Sequence, residues 1–195
     1  GAVEEGSVGA GRGTISFGWK GGIGTSSRVL PSALGSYTIG VLAQTNYGGI
    51  LSVDGVPVGR LFDQYFMKES LDKGDADGSV IIVIATDAPL SDRNLERLAS
   101  RAMLGIGRTG SPVTNGSGDY ILAFSTAESV RRGANRTPSN GLDNRQLSPL
   151  FQAVVEATEE AILNALFKAT SVSGYRGTID AIDIDAVTRI MARER

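Results

Sequence analysis

Apolar and polar positions along the chain follow two periods. Near-alternating runs rich in β-branched and aromatic residues predict strands over Thr14–Lys20, Ile23–Leu30 and Ser36–Tyr47. Gly21-Gly22 predicts a tight hairpin turn between the first two, and Gly48-Gly49 ends the third. Ile50–Gly59 predicts a short strand that Pro57 places at an edge. From Leu61 to Asp77 the pattern degrades into an acidic turn, DKGDADG, built on Asp72, Asp75, Asp77 and Gly78. The continuous run SVIIVIAT, Ser79–Thr86, then predicts a strand covered on both faces.

The later part of the chain shifts towards helical spacing. Ser91 is a candidate N-cap for a helix to about Gly107, with Leu95, Leu98, Ala99, Ala102 and Met103 on its apolar face. A Gly/Ser/Asn turn at Thr109–Gly118 leads to a strand at Asp119–Thr126, and a polar loop follows over Ala127–Gln146. Ser148 as N-cap, with Pro149 at the first helical position, predicts the longest helix, to about Thr170. Its stripe of Leu150, Val154, Ala157, Ala161 and Ala165 allows close contact with a sheet. Asp185 is placed to cap a last short helix. The order of elements predicts sheets covered by helices, an α+β or layered α/β fold, in a single domain over residues 1–195. Gly1–Gly13 reads as a glycine-rich loop, the end of a connection, with further sequence expected upstream.

Composition narrows the chemistry. With 41% hydrophobic and 21% charged residues, the chain has the balance of an ordinary globular protein rather than a disordered one. A net charge of −2 argues against nucleic acid or an anionic membrane as the main partner. No apolar run approaches the roughly 20 residues that a membrane helix needs. The sequence contains no Cys and no His. Disulfides, a thiol nucleophile, a Cys/His zinc site and a Ser-His-Asp triad are therefore excluded. Hydrolytic chemistry would have to run on Ser, Thr, Lys, Tyr or carboxylates.

Most local motifs read as ordinary structure. GAGRG at Gly9–Gly13 lacks the spacing of a dinucleotide or phosphate loop. The aspartates of DKGDADG are interrupted by Lys73, and Ile84 stands where a calcium loop would close with Glu, so a solvated turn is the better reading. Asp180, Asp183 and Asp185 read as caps and surface residues, and Arg132, Arg136 and Arg145 as a wet loop face. Asn115-Gly116-Ser117 and Asn135-Arg136-Thr137 fit a glycosylation sequon and mark polar loops.

The Gly78-Ser79 junction is different, because it joins a turn directly to the most apolar strand. A serine can act without histidine if its own α-amine is the base. That amine ionises near pH 8, whereas a lysine near 10.4 must first be desolvated. Ser79 becomes N-terminal only if the Gly78–Ser79 peptide is cut, with the Ser79 hydroxyl attacking the Gly78 carbonyl. Gly78 is expected to permit a strained backbone there. As plain structure, Ser79 simply begins a strand.

Several segments resemble the L-aminopeptidase/D-amidase-esterase family, which includes the β-peptidyl aminopeptidases. They are FGWKGGIGTSSR at Phe17–Arg28, YTIGVLAQTNYG at Tyr37–Gly48 and GVPVGR at Gly55–Arg60. GSVIIVIATDAPL at Gly78–Leu90, NGSGDYILAFST at Asn115–Thr126 and PLFQAVVEATEEAILNAL at Pro149–Leu166 complete the set, which spans nearly the whole chain. The resemblance implies an αββα sandwich similar to the N-terminal nucleophile hydrolases, with different connectivity, of which this chain is the C-terminal portion.

It further implies self-cleavage at Gly78-Ser79, leaving residues 1–78 as the end of an α subunit and 79–195 as a β subunit that stay associated. Ser79 would be the nucleophile and Asn46 the side-chain donor to the oxyanion. Ser117 and Asp119 would hydrogen-bond around the new α-amine. The implied reaction removes the N-terminal residue from short peptides, amides or esters, with tolerance for β- or D-residues, and needs no metal or organic cofactor. The implied assembly is a homo-oligomer, commonly a tetramer of αβ units. The family's oxyanion tyrosine and its carboxylate for the substrate ammonium belong upstream of this chain. A cytoplasmic or periplasmic home fits the absence of Cys equally. Three alternatives stay open: a Ser-Lys dyad with Lys20 or Lys73 as base, a non-catalytic assembly module, and an acyl transferase related to the ornithine acetyltransferases, which carry Thr at the position of Ser79.

Overall fold

Alternating burial organises the central sheet. In a computed structural model, which describes residues 1–65, 78–131, 141–175 and 177–194, four strands hydrogen-bond in the order β3-β4-β5-β6. They are β3 (Ile23–Val29), β4 (Thr38–Asn46), β5 (Ser79–Thr86) and β6 (Gly118–Ser125). Neighbours β3, β4 and β5 run antiparallel, and β5 and β6 run parallel. On β4 the buried set is Ile39, Val41, Ala43 and Thr45, and on β5 it is Val80, Ile82, Ile84 and Thr86. These period-2 sets lie on one face, and helices α2 (Asp92–Arg108) and α3 (Ser148–Phe167) cover it. Helix α2 is the crossover between the parallel strands, which could not be joined by a tight turn. The fold is α+β, as the element order predicts.

The other sheet face carries apolar side chains that the described residues leave open. Ile81 is 42% exposed, Tyr120 68%, Leu122 63% and Phe124 47%. The sequence predicts cover on both faces of β5; among the described residues, helices cover the α2/α3 face alone. An apolar patch this continuous marks an interaction surface.

Helix α3 lies close to the sheet, as its alanine stripe predicts: Leu150, Val154, Ala157, Ala161 and Ala165 are all buried. Gly24 on β3 completes the contact, since a Cβ there would overlap the backbone carbonyl of Ala161. Arg28 adds ion pairs to Glu156 and Glu160 on the helix. Ser91 caps α2 as predicted, its Oγ accepting from the Asn94 N–H at 3.3 Å. Ser148 falls inside α3 and makes no capping bond; Leu147 precedes the helix, and Pro149 sits in its first turn. The helix ends at Phe167, before the predicted limit near Thr170.

Short elements depart most from the sequence reading. The predicted strand Thr14–Lys20 is itself a hairpin, β1 (Ile15–Ser16) paired with β2 (Trp19–Lys20). Its turn is Phe17-Gly18, at φ 54° and 87°, and Gly21-Gly22 closes no hairpin, since β2 and β3 lie in separate sheets. Ile50–Gly59 forms only an isolated Val53–Val56 bridge, and the short helix α1 (Val58–Leu61) follows it. The hairpin β7 (Val172–Gly174) and β8 (Gly177–Ile179) was not predicted. Helix α4 (Ile184–Glu194) is capped by Asp183, whose carboxylate accepts from the Ala186 N–H at 2.9 Å, rather than by Asp185.

Tyr47, one residue beyond β4, anchors this end of the sheet in the core. Its ring meets Phe17 edge-on at 5.3 Å. The Thr109 hydroxyl donates to Ile106 O at 2.7 Å, so at the 3.3 Å contact Tyr47 is the donor to Thr109 Oγ1. Burial raises the Tyr47 pKa well above the usual phenol value, and the Asp119 charge adds to that. A raised phenol pKa means stability that is complete below pH ~10 and falls above it, because only the unfolded chain can then ionise. Above pH ~10 the native protein should therefore lose up to about 1.4 kcal/mol per pH unit relative to Tyr47→Phe, measured by denaturant unfolding. Gly24→Ala should cost about 1–3 kcal/mol in the same assay, by forcing α3 away from β3.

Candidate active site

The sheet's connectivity brings three chain segments to one edge. Because β4 and β5 are antiparallel, the last residue of β4, Asn46, lies opposite the first of β5, Ser79. Because β5 and β6 are parallel, the first residue of β6, Gly118, lies beside the same Ser79. Directly opposed residues project to the same face, so the side chains of Asn46 and Ser79 share the open face with Ile81. All the sequence-predicted site residues, Asn46, Gly78, Ser79, Ser117 and Asp119, thus fall at one end of the ladder.

The peptide between Gly78 and Ser79 is held on both sides. Its carbonyl accepts from the Gly118 N–H at 3.0 Å. One residue on, the Val80 N–H donates to Asp119 Oδ1 at 3.1 Å. The Ser117 hydroxyl donates to the same Oδ1 at 2.7 Å. Ser117 and Asp119 therefore form one hydrogen-bonded unit on the main-chain nitrogen of Val80, the residue after Ser79.

Gly78 is buried, but its φ lies outside the left-handed region, so the expected backbone strain is not found. Space is the reason for glycine: a Cβ would lie 3.1 Å from Tyr47 Cβ and 3.2 Å from its Cα. A Cβ there would require Gly78 and Tyr47 to move apart by a few tenths of an ångström.

Asn46 is oriented by the β1–β2 hairpin. Its Oδ1 accepts from the Ile15 N–H at 3.1 Å, which fixes the carboxamide with Nδ2 as the end left to donate. A neutral amide donor can stabilise a developing oxyanion without a proton transfer.

Lys20, the candidate dyad base, takes no part in this arrangement. Its ammonium donates to Gly11 O at 2.7 Å, Thr14 O at 2.6 Å and Gly21 O at 2.8 Å. Three carbonyls use all three protons, so the geometry is that of a held cation. Desolvation, and secondarily the Arg12 charge, lower its pKa from the ordinary lysine value.

The other candidate base, Lys73, lies outside the described residues, as do Asp72, Asp75, Asp77, Arg132, Asn135 and Arg136. Arg145 pairs with Asp143 at the surface. No group of three or more metal-ligating side chains occurs among the described residues. Sequence reasoning missed the Gly118 N–H, because a backbone donor has no side-chain signature. The alternating pattern of β5 and β6 fixes each strand but not which residues stand side by side.

Comparison with known proteins identifies the family of this fold. The peptidase family S58 model matches residues 1–179. The beta-peptidyl aminopeptidase BapA of Sphingosinicella microcystinivorans is 43% identical over 191 residues, which cover 91% of this chain and 48% of that protein. A beta-aminopeptidase from Burkholderia sp. superposes with a TM-score of 0.83 at 38% identity, over 99% of this chain and 55% of its own. The L-aminopeptidase D-Ala-esterase/amidase of Ochrobactrum anthropi, described as a new variant of the Ntn hydrolase fold, matches with the same TM-score and identity. This chain thus spans about half the length of the curated relatives it matches. Its sequence along residues 1–179, and a fold shared at 38% identity with serine aminopeptidases, place it in peptidase family S58.

Proposed function

We propose that this chain is the nucleophile-bearing portion of a self-processing serine aminopeptidase, cut between Gly78 and Ser79. The observation that carries this is the convergence at one sheet end: Asn46 opposite Ser79, and the Gly78 carbonyl on the Gly118 N–H. In the first step Ser79 Oγ attacks the Gly78 carbonyl carbon. The Gly118 N–H, already bonded to that oxygen, stabilises the charge that develops on it. The C–N bond breaks, the hydroxyl proton passes to nitrogen, and Gly78 becomes an ester on Ser79. Water hydrolyses the ester, leaving a Gly78 carboxylate and a free Ser79 amine and hydroxyl. Residues 1–78 then form the end of one subunit and 79–195 the other.

The mature reaction reuses the same atoms. The freed α-amine takes the Ser79 hydroxyl proton as Oγ attacks the substrate carbonyl, and it returns that proton to the leaving amine. Water, deprotonated by the same amine, releases the N-terminal residue from the acyl-enzyme. Asn46 Nδ2 is the donor to the substrate oxyanion. The Asp119 carboxylate, one residue from the new amine, holds it through Ser117 and the main chain.

The substrates are short peptides, amides or esters with a free N-terminus, β- or D-residues included, and no cofactor is required. The reading receives support from the relatives, which are named as beta-peptidyl and L-aminopeptidases. A Ser-Lys dyad on Lys20 is disfavoured, because an amine caged by three carbonyls has no lone pair to offer.

The apolar face of Ile81, Tyr120, Leu122 and Phe124 is where we place the second sheet of the αββα sandwich, from the half of the relatives' length outside this chain. The working enzyme would be a homo-oligomer of αβ units.

Mass spectrometry of the full-length gene product should show a fragment beginning at Ser79. Ser79→Ala should remain uncut and lose turnover of amino-acid p-nitroanilides; retained turnover would remove Ser79 as nucleophile. Asp119→Asn should reduce kcat about 10- to 100-fold, less than the loss of a direct proton-transfer group, because Asp119 acts by orienting the amine. An unchanged pH–rate profile and kcat would instead assign Asp119 to strand pairing alone.

A further inference from the structure

Among the described residues, Lys20 is the only charged side chain in the buried set, at 2% exposure. Its partners are three carbonyl oxygens rather than a carboxylate, so the positive charge is not neutralised. A buried charge of this kind is costly to keep, and its field acts on neighbours in a low-dielectric setting.

The shortest of the three bonds, 2.6 Å, goes to Thr14 O. The same peptide unit carries the Ile15 N–H, which donates to Asn46 Oδ1 at 3.1 Å. One planar amide therefore links the two side chains: ammonium on the oxygen end, carboxamide on the nitrogen end. An ammonium on a peptide oxygen draws electron density towards that oxygen and makes the amide N–H a stronger donor. The strengthened N–H draws on Asn46 Oδ1, and through the carboxamide resonance makes the Nδ2 protons better donors. A flipped carboxamide would set Nδ2–H against N–H, so the same bond also fixes which end faces the reaction.

We propose that Lys20 is a positioning residue that orients and polarises the Asn46 carboxamide through the Thr14–Ile15 peptide. The inference rests on the reading of Asn46 as the oxyanion donor. The polarisation is useful only once negative charge forms on the substrate oxygen, so it should act on kcat and leave KM nearly unchanged.

A double-mutant cycle in the full-length protein separates this role from simple packing. Steady-state kcat and KM for an amino-acid p-nitroanilide would be measured in wild type, Lys20→Met, Asn46→Ala and the double variant, per mole of chain beginning at Ser79. Asn46→Ala is expected to lower kcat about 10²- to 10³-fold. Lys20→Met is expected to lower kcat by about tenfold in wild type but less than about twofold in the Asn46→Ala background. Equal losses in both backgrounds, or none in wild type, would overturn the inference and leave the reading of Asn46 standing. An Asn46→Ala variant with undiminished kcat would overturn the oxyanion reading itself and the inference with it. Should Lys20→Met not fold, Lys20→Gln keeps a neutral donor for Thr14 O and should show the same pattern with a smaller loss.

Discussion

The register of β5 against its two neighbours is the constraint on which the site depends. Val80, Ile82, Ile84 and Thr86 must face the helices, and Ile39, Val41, Ala43 and Thr45 must do so from β4. A slip of one residue would turn either set out of the core, at a cost far above that of any single site hydrogen bond. With the register locked by packing, the opposition of Asn46 and Ser79 follows without any interaction of their own. The core therefore specifies the site, and polar side chains only refine it.

Strand direction does the remaining placement. An antiparallel neighbour brings its end to the start of β5, and a parallel neighbour brings its start to the same point. A mixed sheet thus collects two strand starts and one strand end around a single peptide bond. That bond is a poor electrophile in an ordinary strand, where its neighbours move with it. Here its carbonyl is bonded to Gly118 N–H, and Tyr47 packs closely enough against Gly78 that a Cβ would sit 3.1 Å from Tyr47 Cβ. Tyr47 is itself fixed by Phe17 and Thr109, so the aromatic core reaches to within one residue of Ser79.

Long elements with one dominant pattern were legible in the sequence. The strand Ser79–Thr86, the Ser91-capped helix and the alanine stripe of Ser148–Phe167 all stand where their periods put them. Tight features were not, because they turn on single dihedrals. Phe17, a large residue, adopts φ 54° in a turn inside Thr14–Lys20, which the sequence pattern reads as one strand. The Gly21-Gly22 pair instead makes room for close backbone, Gly22 against Gly6 and Gly21 beside Thr45. The site residues were found through the resemblance of whole segments; spacing alone could not have joined residues 46, 79 and 117, which meet only through the sheet. Gly78 was picked out for the wrong reason, since its missing Cβ matters for crowding by Tyr47 rather than for backbone strain.

A chain without histidine or cysteine has few ways to bias proton transfer and charge. The structure compensates with main-chain groups whose positions the fold determines. Gly118 N–H, Val80 N–H and Ile15 N–H each bond a group at the site, and each belongs to an element set by core packing or by the Lys20 cage. Backbone donors have fixed protonation across the range in which an imidazole would titrate, so they offer constant electrostatics rather than a switch. The single group left to titrate near neutral pH would be the α-amine of Ser79, which exists only after its own peptide bond is broken. Cleavage would then create the one proton carrier this site lacks, which is why the strand register that exposes that bond matters more than any side chain around it.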